Sequence, residues 1–394
     1  MAVLGDYIKV KHGYAFKGEF FSTDDNGVVL ITPGNFAIGG GFKQDKCKFF
    51  TSTFSGDYVL HEDDLIVTMT DLSKNIDTLG YSALIPNSNR IYLHNQRIGL
   101  VQFLSDKLDK HYLYWFMRTE FYQKTIAGTS SGSTVHHTSP DRICAVEISP
   151  PDIVEQTKIA NILDNIENKI ANNHRINKNL EQQAQAIFAN EFLSLETLPE
   201  GWKQAGLIDI ADYLNGLAMQ KYRPTADESG IPVLKIKELR QGCCDDNSEL
   251  CSPNIKSNYI IHDGDVIFSW SGSLLVDLWC GGICGLNQHL FKVTSSKYDK
   301  WFYYAWTKHH LDRFVAVAAD KATTMGHIKR AELAKAEVLI PNKKDYDRIG
   351  ALLQPIYEMI ISNRIENKKL AATRDTLLPK LMNGEIDISE VDYE

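Results

Sequence analysis

The sequence contains no apolar run of about 18 residues or more, which argues against a membrane-spanning helix. Its first twenty residues also lack the apolar stretch of a signal peptide. The seven cysteines include no C-x-x-C pair, so the spacing favours neither a disulfide framework nor a zinc site. Together these absences predict a reduced, cytoplasmic protein that holds no metal.

Catalytic signatures are missing as well. The chain has no G-x-x-x-x-G-K-[ST] phosphate loop and no G-x-G-x-x-G segment after a strand. "HEDDL" lacks the second histidine of a zinc-protease motif. The net charge of −8 argues against a free-standing basic nucleic-acid-binding protein, although five negative charges lie in the last ten residues. These features predict a non-catalytic protein without a cofactor, whose body is closer to neutral.

What the sequence does contain is an imperfect tandem repeat. "YVLHEDDLIVTMT" at 58–70 corresponds to "YIIHDGDVIFSWS" at 259–271, an offset of 201 residues. The offset is 203 near the start of each copy, where Gly13 matches Gly216. From residue 109 it is 190 to the end of the chain. Framework segments therefore keep register while connecting segments differ, which predicts one scaffold with two different recognition surfaces.

Each copy begins with a globular part of mixed pattern. In the first copy, "GVVLIT", "DLIVTM", "RIGLVQF" and "AVEISPP" predict short strands. "HYLYWFMRTEFYQKTIA" predicts a helix, and we interpret its aromatic rings, like those of "WFYYAW" in the second copy, as core rather than as a ligand surface. This mixture predicts two pseudo-symmetric α+β domains.

A long helix follows each globular part. Residues 152–192 contain neither glycine nor proline and carry a heptad-like stripe that includes Asn173 and Ile176. The second copy has a matching stripe with Leu352 and Asn363. A helix of roughly 40 residues spans about 60 Å, so we expect the two helices to pack as an antiparallel coiled coil whose asparagines fix the register. The alternative is that each helix only covers the core of its own domain.

In their order, these features resemble the DNA-specificity (S) subunits of type I restriction–modification systems. The resemblance covers essentially the whole chain and is carried by "LGDYIKVKHGYAFKGEFF", "LPEGWKQAGLIDIADYLNGLAM", "GDVIFSWSG", "LNQHLFKV", "ISPPDIVEQTKIANILDNIENKI" and "LLPKLMNGEI". It implies a first target-recognition domain at 1–151 and a central spacer helix at 152–197. A second recognition domain at 198–341 and a C-terminal spacer helix with an acidic tail at 342–394 would follow.

The resemblance also implies a function. Each domain would read one half of a bipartite, asymmetric site on double-stranded DNA. The helices would set the gap between the halves and dock two methyltransferase subunits, which restriction (translocase and endonuclease) subunits would join. In this family the two domains and the two helices would form a pseudo-symmetric ring. The chain starts almost at the first domain, so closure of that ring would rest on the C-terminal helix and tail. The alternative is a non-catalytic scaffold or an anti-restriction DNA mimic, which only the acidic charge supports; the missing cofactor motif disfavours a fused methyltransferase.

The predicted DNA contacts lie in three polar loops of each copy, together with Arg97 and His289. The loops are 32–46, 70–77 and 127–142 in the first copy and 235–242, 271–277 and 318–330 in the second. Their Ser, Thr, Asn, His, Lys and Arg side chains can donate to phosphates and base edges, although any one of them could be an ordinary solvated residue. In the first copy the predicted residues are Asn35, Lys43, Thr70, Ser73, Lys74, Asn75, Arg97, Ser131, Ser133, Thr134, His136 and His137. In the second copy they are Lys235, Lys237, Ser271, Ser273, His289, Lys321, Thr323, Thr324, His327 and Lys329.

Overall fold

Each copy of the repeat folds around a central strand that is buried along its whole length. This strand is Leu65–Thr68 in the first copy and Val266–Ser269 in the second. Burial on both faces explains why the first three residues of each strand are all apolar instead of alternating with polar residues. The computed structural model describes residues 2–45, 47–71, 73, 76–132, 134–320, 328 and 330–389. The chain divides into a first unit, residues 1–168 with 372–394, and a second unit, residues 169–371.

The first unit contains a four-stranded antiparallel sheet and a five-stranded mixed sheet. The strand order of the antiparallel sheet is Ile8–His12, Ile98–Phe103, Leu65–Thr68 and Ser82–Leu84. The order of the mixed sheet is Phe21–Ser22, Lys48–Phe50, Val28–Leu30, Ile91–Leu93 and Val59–Leu60. Two short ladders pair Ala2–Val3 with Glu147–Ile148 and Thr70–Asp71 with His136–His137. Each of the four runs predicted as strands contains one.

The second unit repeats this topology. Its antiparallel sheet has the order Asp212–Asn215, Leu290–Thr294, Val266–Ser269 and Leu275–Leu278. Its mixed sheet has the order Leu250–Cys251, Ile231–Leu234, Cys284–Leu286 and Ile260–Ile261. The strands Lys203–Gly206 and Glu337–Ile340 pair antiparallel, as their counterparts do in the first unit. The predicted α+β class and the predicted repeat are therefore confirmed.

The polar turn before each central strand is built in the same way. Asp64 accepts a hydrogen bond from the backbone N of His61 at 2.8 Å, and Asp265 accepts one from that of His262 at 2.9 Å. The residue directly before this aspartate has a positive φ in both copies, 64° at Asp63 and 85° at Gly264. Glycine and aspartate tolerate this left-handed conformation. The repeated H-x-x-D pattern is thus a turn that starts the strand.

The aromatic segments form helices that fill the two cores. The helices are Lys110–Phe116 and Glu120–Gly128 in the first unit and Lys300–His309 and Leu311–Asp320 in the second. The single helix predicted for the first copy was wrong, because Thr119 accepts a hydrogen bond from the backbone N of Tyr122 at 3.3 Å and caps a new helix. Trp115 and Trp301 are fully buried, which confirms their core role. The short helices are Pro140–Cys144, Leu207–Ile210, Ile236–Gln241 and Arg330–Ala334.

The two long helices are Ile153–Phe188, which a π-helical turn at Ala189–Leu193 follows, and Lys343–Met382. Within the second unit they pair antiparallel through buried asparagines. The Nδ2 atom of Asn173 donates to Oδ1 of Asn367 at 2.8 Å. The Nδ2 atom of Asn363 donates to Oδ1 of Asn177, also at 2.8 Å. These contacts confirm the antiparallel pairing and show both predicted asparagines in the interface.

The apolar stripe predicted along these helices is wrong at two positions. The side chains of Ile176 and Leu352 are 43% and 47% exposed, whereas their neighbours Asn177 and Leu353 are buried. Both helices also enter the core of each unit; Leu163 of the first helix, for example, is fully buried in the first unit. The helices therefore pair with each other and also cover the cores of the units, so both alternatives hold. No helix in the described part of the chain is long and apolar enough to cross a membrane.

Gly13 and Gly216 occupy matched positions where the backbone passes close to a carbonyl group. A Cβ atom on Gly13 would lie 2.3 Å from the oxygen of Asn95, and one on Gly216 would lie 2.2 Å from that of Asn287. Because the obstacle is backbone, we expect Gly13→Ala and Gly216→Ala each to lower the free energy of unfolding by about 1–3 kcal/mol. Urea denaturation measures this. Gly18→Ala is the control, since nothing lies within 4 Å there; an equal loss would contradict the explanation.

Candidate nucleic-acid interface

Two of the loops predicted to contact DNA meet at the end of the central strand of the first unit. The chain runs from this strand into Thr70–Asp71, which pairs antiparallel with His136–His137. The backbone N of Thr138 also donates to the carbonyl of Met69 at 3.1 Å. Segments 70–77 and 127–142, which lie far apart in the sequence, therefore form one surface.

Side-chain contacts join the predicted residues within this surface. The Oγ1 atom of Thr70 lies 3.1 Å from Nδ1 of His137. The backbone groups of Ser131 and His137 exchange two hydrogen bonds, at 3.0 and 2.8 Å. Ser131, Thr134 and His137 are exposed, whereas Thr70 is buried. Thr70 is therefore placed to orient the imidazole of His137, and the exposed side chains are placed to contact a ligand.

Arg97 lies at the edge of the same surface. Its carbonyl accepts a hydrogen bond from the backbone N of Met69 at 2.9 Å. Its side chain is exposed and has no ion-pair partner among the described residues. A guanidinium in this setting is available to a phosphate or a guanine edge.

Asp71 organises the loop that follows the central strand. The carboxylate is buried and accepts hydrogen bonds from the backbone N of Ser73 at 2.5 Å and of Thr78 at 2.6 Å, and from the Thr78 hydroxyl at 3.0 Å. Burial acts to raise the pKa of Asp71, but these hydrogen bonds outweigh it and hold the pKa below its usual value. Ser73 in turn contacts Asp77 through its hydroxyl. The predicted residue Ser73 is therefore engaged inside the loop.

His136 and Thr138 carry buried polar atoms that have no partner among the described residues. These atoms are Nδ1 of His136 and Oγ1 of Thr138. An unmade hydrogen bond of this kind costs about 1–3 kcal/mol. Both residues flank the exposed His137, so these two polar atoms lie at the candidate interface.

The third predicted loop of the first unit is not part of this cluster. Asn35 is buried; its Oδ1 atom accepts from the backbone N of Thr32 at 2.9 Å, and its Nδ2 atom donates to the carbonyl of Lys43 at 3.3 Å. This side chain holds its own loop together and does not face solvent. Lys43 is exposed and lies 3.3 Å from Asp45.

The second unit builds the matching surface with the same backbone contacts. The backbone N of Trp270, the counterpart of Met69, donates to the carbonyl of His289 at 3.4 Å. The carbonyl of Trp270 accepts from the backbone N of Ile328, the counterpart of Thr138, at 3.0 Å. The Oγ atom of Ser271 lies 3.1 Å from Nδ1 of His289. A hydroxyl–imidazole pair therefore lies at the end of each central strand, but the two histidines are not counterparts, because His289 corresponds to Arg97. The exposed Ser273 lies beside the second pair.

Lys235 and Lys237 belong to segment 235–242, which was wrongly predicted as a loop. Residues Ile236–Gln241 form a helix, because Glu238 accepts a hydrogen bond from the backbone N of Lys235 at 3.2 Å and caps its start. The Lys235 ammonium contacts Glu249, and that of Lys237 lies 3.2 Å from Asp245. Eight predicted residues lie outside the described residues: Lys74, Asn75, Ser133, Lys321, Thr323, Thr324, His327 and Lys329.

Sequence reasoning missed two residues that shape the first surface. One is Asp71, and the other is Arg142, whose Nη1 atom donates to Oγ of Ser131 at 3.1 Å and to the carbonyl of His137 at 3.3 Å. Both lie inside the predicted loops, but neither was among the predicted DNA contacts. A comparison of the two copies could have found them, because the second copy holds Gly272 in place of Asp71 and Glu332 in place of Arg142.

Metal binding has no support in the described part of the chain. No group of three His, Cys, Asp or Glu side chains there could hold a metal ion, and the cysteines are free thiols. Burial raises the pKa of Cys280 to about 11, which disfavours the thiolate that a metal would need.

Comparison with known proteins assigns the family. A family model described as the type I restriction modification DNA specificity domain matches residues 2–182 and, a second time, residues 199–372. The chain belongs to this family. The two matches of the family model coincide with the two copies of the repeat. The resemblance to specificity subunits inferred from the sequence is therefore confirmed. Specificity subunits are non-catalytic members of their systems, as predicted for this chain.

Individual relatives agree with this family. The MjaIX specificity subunit of Methanocaldococcus jannaschii is 27% identical over 311 residues, 73% of this chain and 71% of that protein. The HindI specificity subunit of Haemophilus influenzae is 22% identical over 344 residues, 68% of this chain and 75% of that protein. The crystal structure of the S subunit from M. genitalium has a TM-score of 0.58 at 14% identity, and the match covers 96% of this chain and 94% of that one. The specificity-subunit fold therefore extends over almost all of the chain.

Proposed function

We propose that this specificity subunit reads a bipartite, asymmetric sequence of double-stranded DNA, with one half read by each unit. The observation that carries the proposal is the pair of matched surfaces at the ends of the central strands. The two surfaces share backbone contacts and a matched hydroxyl, Thr70 and Ser271, which lies beside an imidazole in each: His137 in the first and His289, from a different position of the repeat, in the second. Their other side chains differ. A common frame with different donors is what two half-sites of unlike sequence require.

Within these surfaces the exposed side chains are the proposed DNA contacts. In the first unit they are those of Arg97, Ser131, Thr134 and His137, and in the second unit they are those of Ser273 and the half-buried His289. The predicted residues outside the described part of the chain remain in the proposal. Lys43, Lys235 and Lys237 stay as candidate phosphate contacts, whereas the buried Asn35 has a structural explanation that is sufficient.

The long helices are the proposed spacer and docking site for two methyltransferase subunits, which restriction subunits would join. Buried asparagine pairs give the helices a defined register, and a defined register suits a part that sets a distance. The net charge of −8 fits a subunit whose partners supply much of the phosphate contact. Adenine methylation requires a flipped base, and the partner would provide that pocket. The acidic charge also fits a DNA mimic, which site-specific methylation by the complex would exclude.

Exchanging one recognition domain tests the proposal. We expect a chain whose residues 1–151 come from a different specificity subunit to keep one half-site of the methylated sequence and to change the other completely. The donor segment must fit the rest of the first unit, because Leu163 and Leu381 of the long helices are buried in that core. Long-read methylation sequencing of cells that express the exchanged chain with its methyltransferase identifies both halves.

The reciprocal exchange of residues 198–341 is the matched control and is expected to change only the other half. Size-exclusion chromatography with light scattering checks that each exchanged chain still binds two methyltransferase subunits. A methylated sequence that stays the same after either exchange, or that changes in both halves after one exchange, would refute modular reading.

A further inference from the structure

The carboxylate of Asp71 and its backbone serve two different loops. Through the side chain, Asp71 ties Ser73 to Thr78 with the three hydrogen bonds described above, and it is only 2% exposed. Through its backbone, it pairs with His136 in the short ladder. Hydrogen bonds to a buried carboxylate are short and strong, so they fix geometry as well as add stability. One residue therefore sets the position of both loops.

Arg142 holds the second loop from the opposite side. Its Nη1 atom bonds both the hydroxyl of Ser131 and the carbonyl of His137. The same carbonyl accepts from the backbone N of Ser131 at 3.0 Å. Arg142 thus bridges the two strands of the turn that presents Ser131 and His137 to solvent, while its own side chain is half-buried.

The second unit lacks both residues. Gly272 stands at the position of Asp71, and Glu332 stands at the position of Arg142. There the buried hydroxyl of Ser269 donates to the carbonyls of Ser271 at 3.3 Å and Ser273 at 2.9 Å. Its counterpart Thr68 donates in the same way to the carbonyl of Thr78, so this hydroxyl contact is common to both units. The two surfaces therefore share the backbone frame and this hydroxyl contact, whereas Asp71 and Arg142 are present in the first unit alone.

We propose that Asp71 and Arg142 are positioning residues that determine which bases the first unit reads. The inference rests on the proposed function, because it assigns these residues to the loops proposed to contact one half-site. Neither residue needs to touch DNA. Base discrimination depends on donor and acceptor geometry, so a shift of the exposed Ser131 or His137 changes the preferred base and not merely the affinity.

The test uses Asp71→Asn, Arg142→Ala and Arg142→Lys in the full chain assembled with its methyltransferase. We expect Asp71→Asn and Arg142→Ala to reduce the preference for the native first half-site over single-base variants by about tenfold, since one good base contact contributes discrimination of that order. The preference at the second half-site stays unchanged. Arg142→Lys restores part of the preference, because an ammonium can still donate to one of the two oxygens. Methylation of a library of oligonucleotides, read by sequencing, measures both preferences.

Controls separate this inference from the proposed function. Asp141→Asn also replaces a carboxylate by an amide, at the residue next to Arg142. The Asp141 side chain is exposed and has no hydrogen bond among the described residues, so this variant is expected to leave both half-site preferences unchanged. His289→Ala is expected to relax only the second half-site. If His289→Ala acts and the Asp71 and Arg142 variants leave the first half-site unchanged, the positioning role is overturned while the proposed function stands. If no variant in either unit alters any half-site, the proposed function fails as well.

General destabilisation gives a different result. An equal loss of preference at both half-sites, or a loss of methyltransferase binding, would show a purely structural role and overturn the inference. Arg142→Lys decides the matter if Asp71→Asn does not fold, because it keeps the charge and most of the packing.

Discussion

A chain with seven extra residues in each long helix, inserted after Asn168 and after Ala371, is expected to direct methylation to half-sites about three base pairs further apart. Seven helical residues add about 10 Å, and stacked base pairs repeat at about 3.4 Å. Seven residues are also two turns of a paired helix, so the buried stripe keeps its face. The two insertion points are the places where the chain passes between the two units. Methylation sequencing gives the gap directly.

The insertion points leave the local helix contacts intact on both sides. In the first unit, Arg374 donates to Glu167 at 2.7 Å, and in the second unit Asn173 donates to Asn367. The matched control is the same insertion in one helix only, which puts the paired stripes out of register and is expected to abolish methylation. If the double insertion assembles with methyltransferase and the gap is unchanged, the helices are not the spacer.

Replacing both Asn177 and Asn363 by leucine is expected to restore most of the stability that either single replacement removes. A single replacement leaves the other amide buried without its partner, which costs about 1–3 kcal/mol. Replacing both leaves an apolar contact, and such an exchange is often neutral or stabilising. The urea-unfolding free energies of the two single variants and the double variant form the cycle. Asn161→Leu, at an exposed position of the first long helix, is the control.

The same double variant is expected to lose definition of the gap. A buried polar pair penalises every register in which it is broken, whereas leucines pack in several registers. Methylation sequencing is then expected to find sites with more than one gap length. Additive losses in the two single variants, together with a single gap in the double variant, would contradict a role for this pair in fixing register.

The parts of the fold that sequence reasoning found are those that depend on local pattern. Burial on both faces makes the strands Leu65–Thr68 and Val266–Ser269 apolar at every position but the last, and the residue types alone reveal such strands. The stripe along the long helices failed at Ile176 for a related reason. Apolar residues were assigned to the interface by type, whereas the actual contact uses Asn177, whose amide is satisfied by Asn363. Only the partner helix makes that choice favourable.

The candidate site was harder because it depends on contacts between distant segments. Thr70 and His137 are both polar loop residues in the sequence, and nothing local indicates that their side chains meet at 3.1 Å. Asn35 was assigned to DNA contact for its amide, but that amide bonds its own loop. Asp71 was not predicted because the residues were chosen as hydrogen-bond donors, whereas its carboxylate accepts hydrogen bonds from backbone N–H groups of its own loop. Side-chain type indicates what a residue can bind, and only the fold shows which partner it has.

The asparagine contacts follow a reciprocal rule. Asn173 and Asn363 are separated by the repeat offset of 190 residues, and so are Asn177 and Asn367. Asn173 of the first copy contacts the counterpart of Asn177, and Asn177 contacts the counterpart of Asn173. This is the isologous pattern of a two-fold homodimer, written here within a single polypeptide. Gene duplication and fusion of such a dimer would keep this symmetric contact while the two joined halves became free to diverge, so that a recogniser of palindromes could become a recogniser of asymmetric sequences.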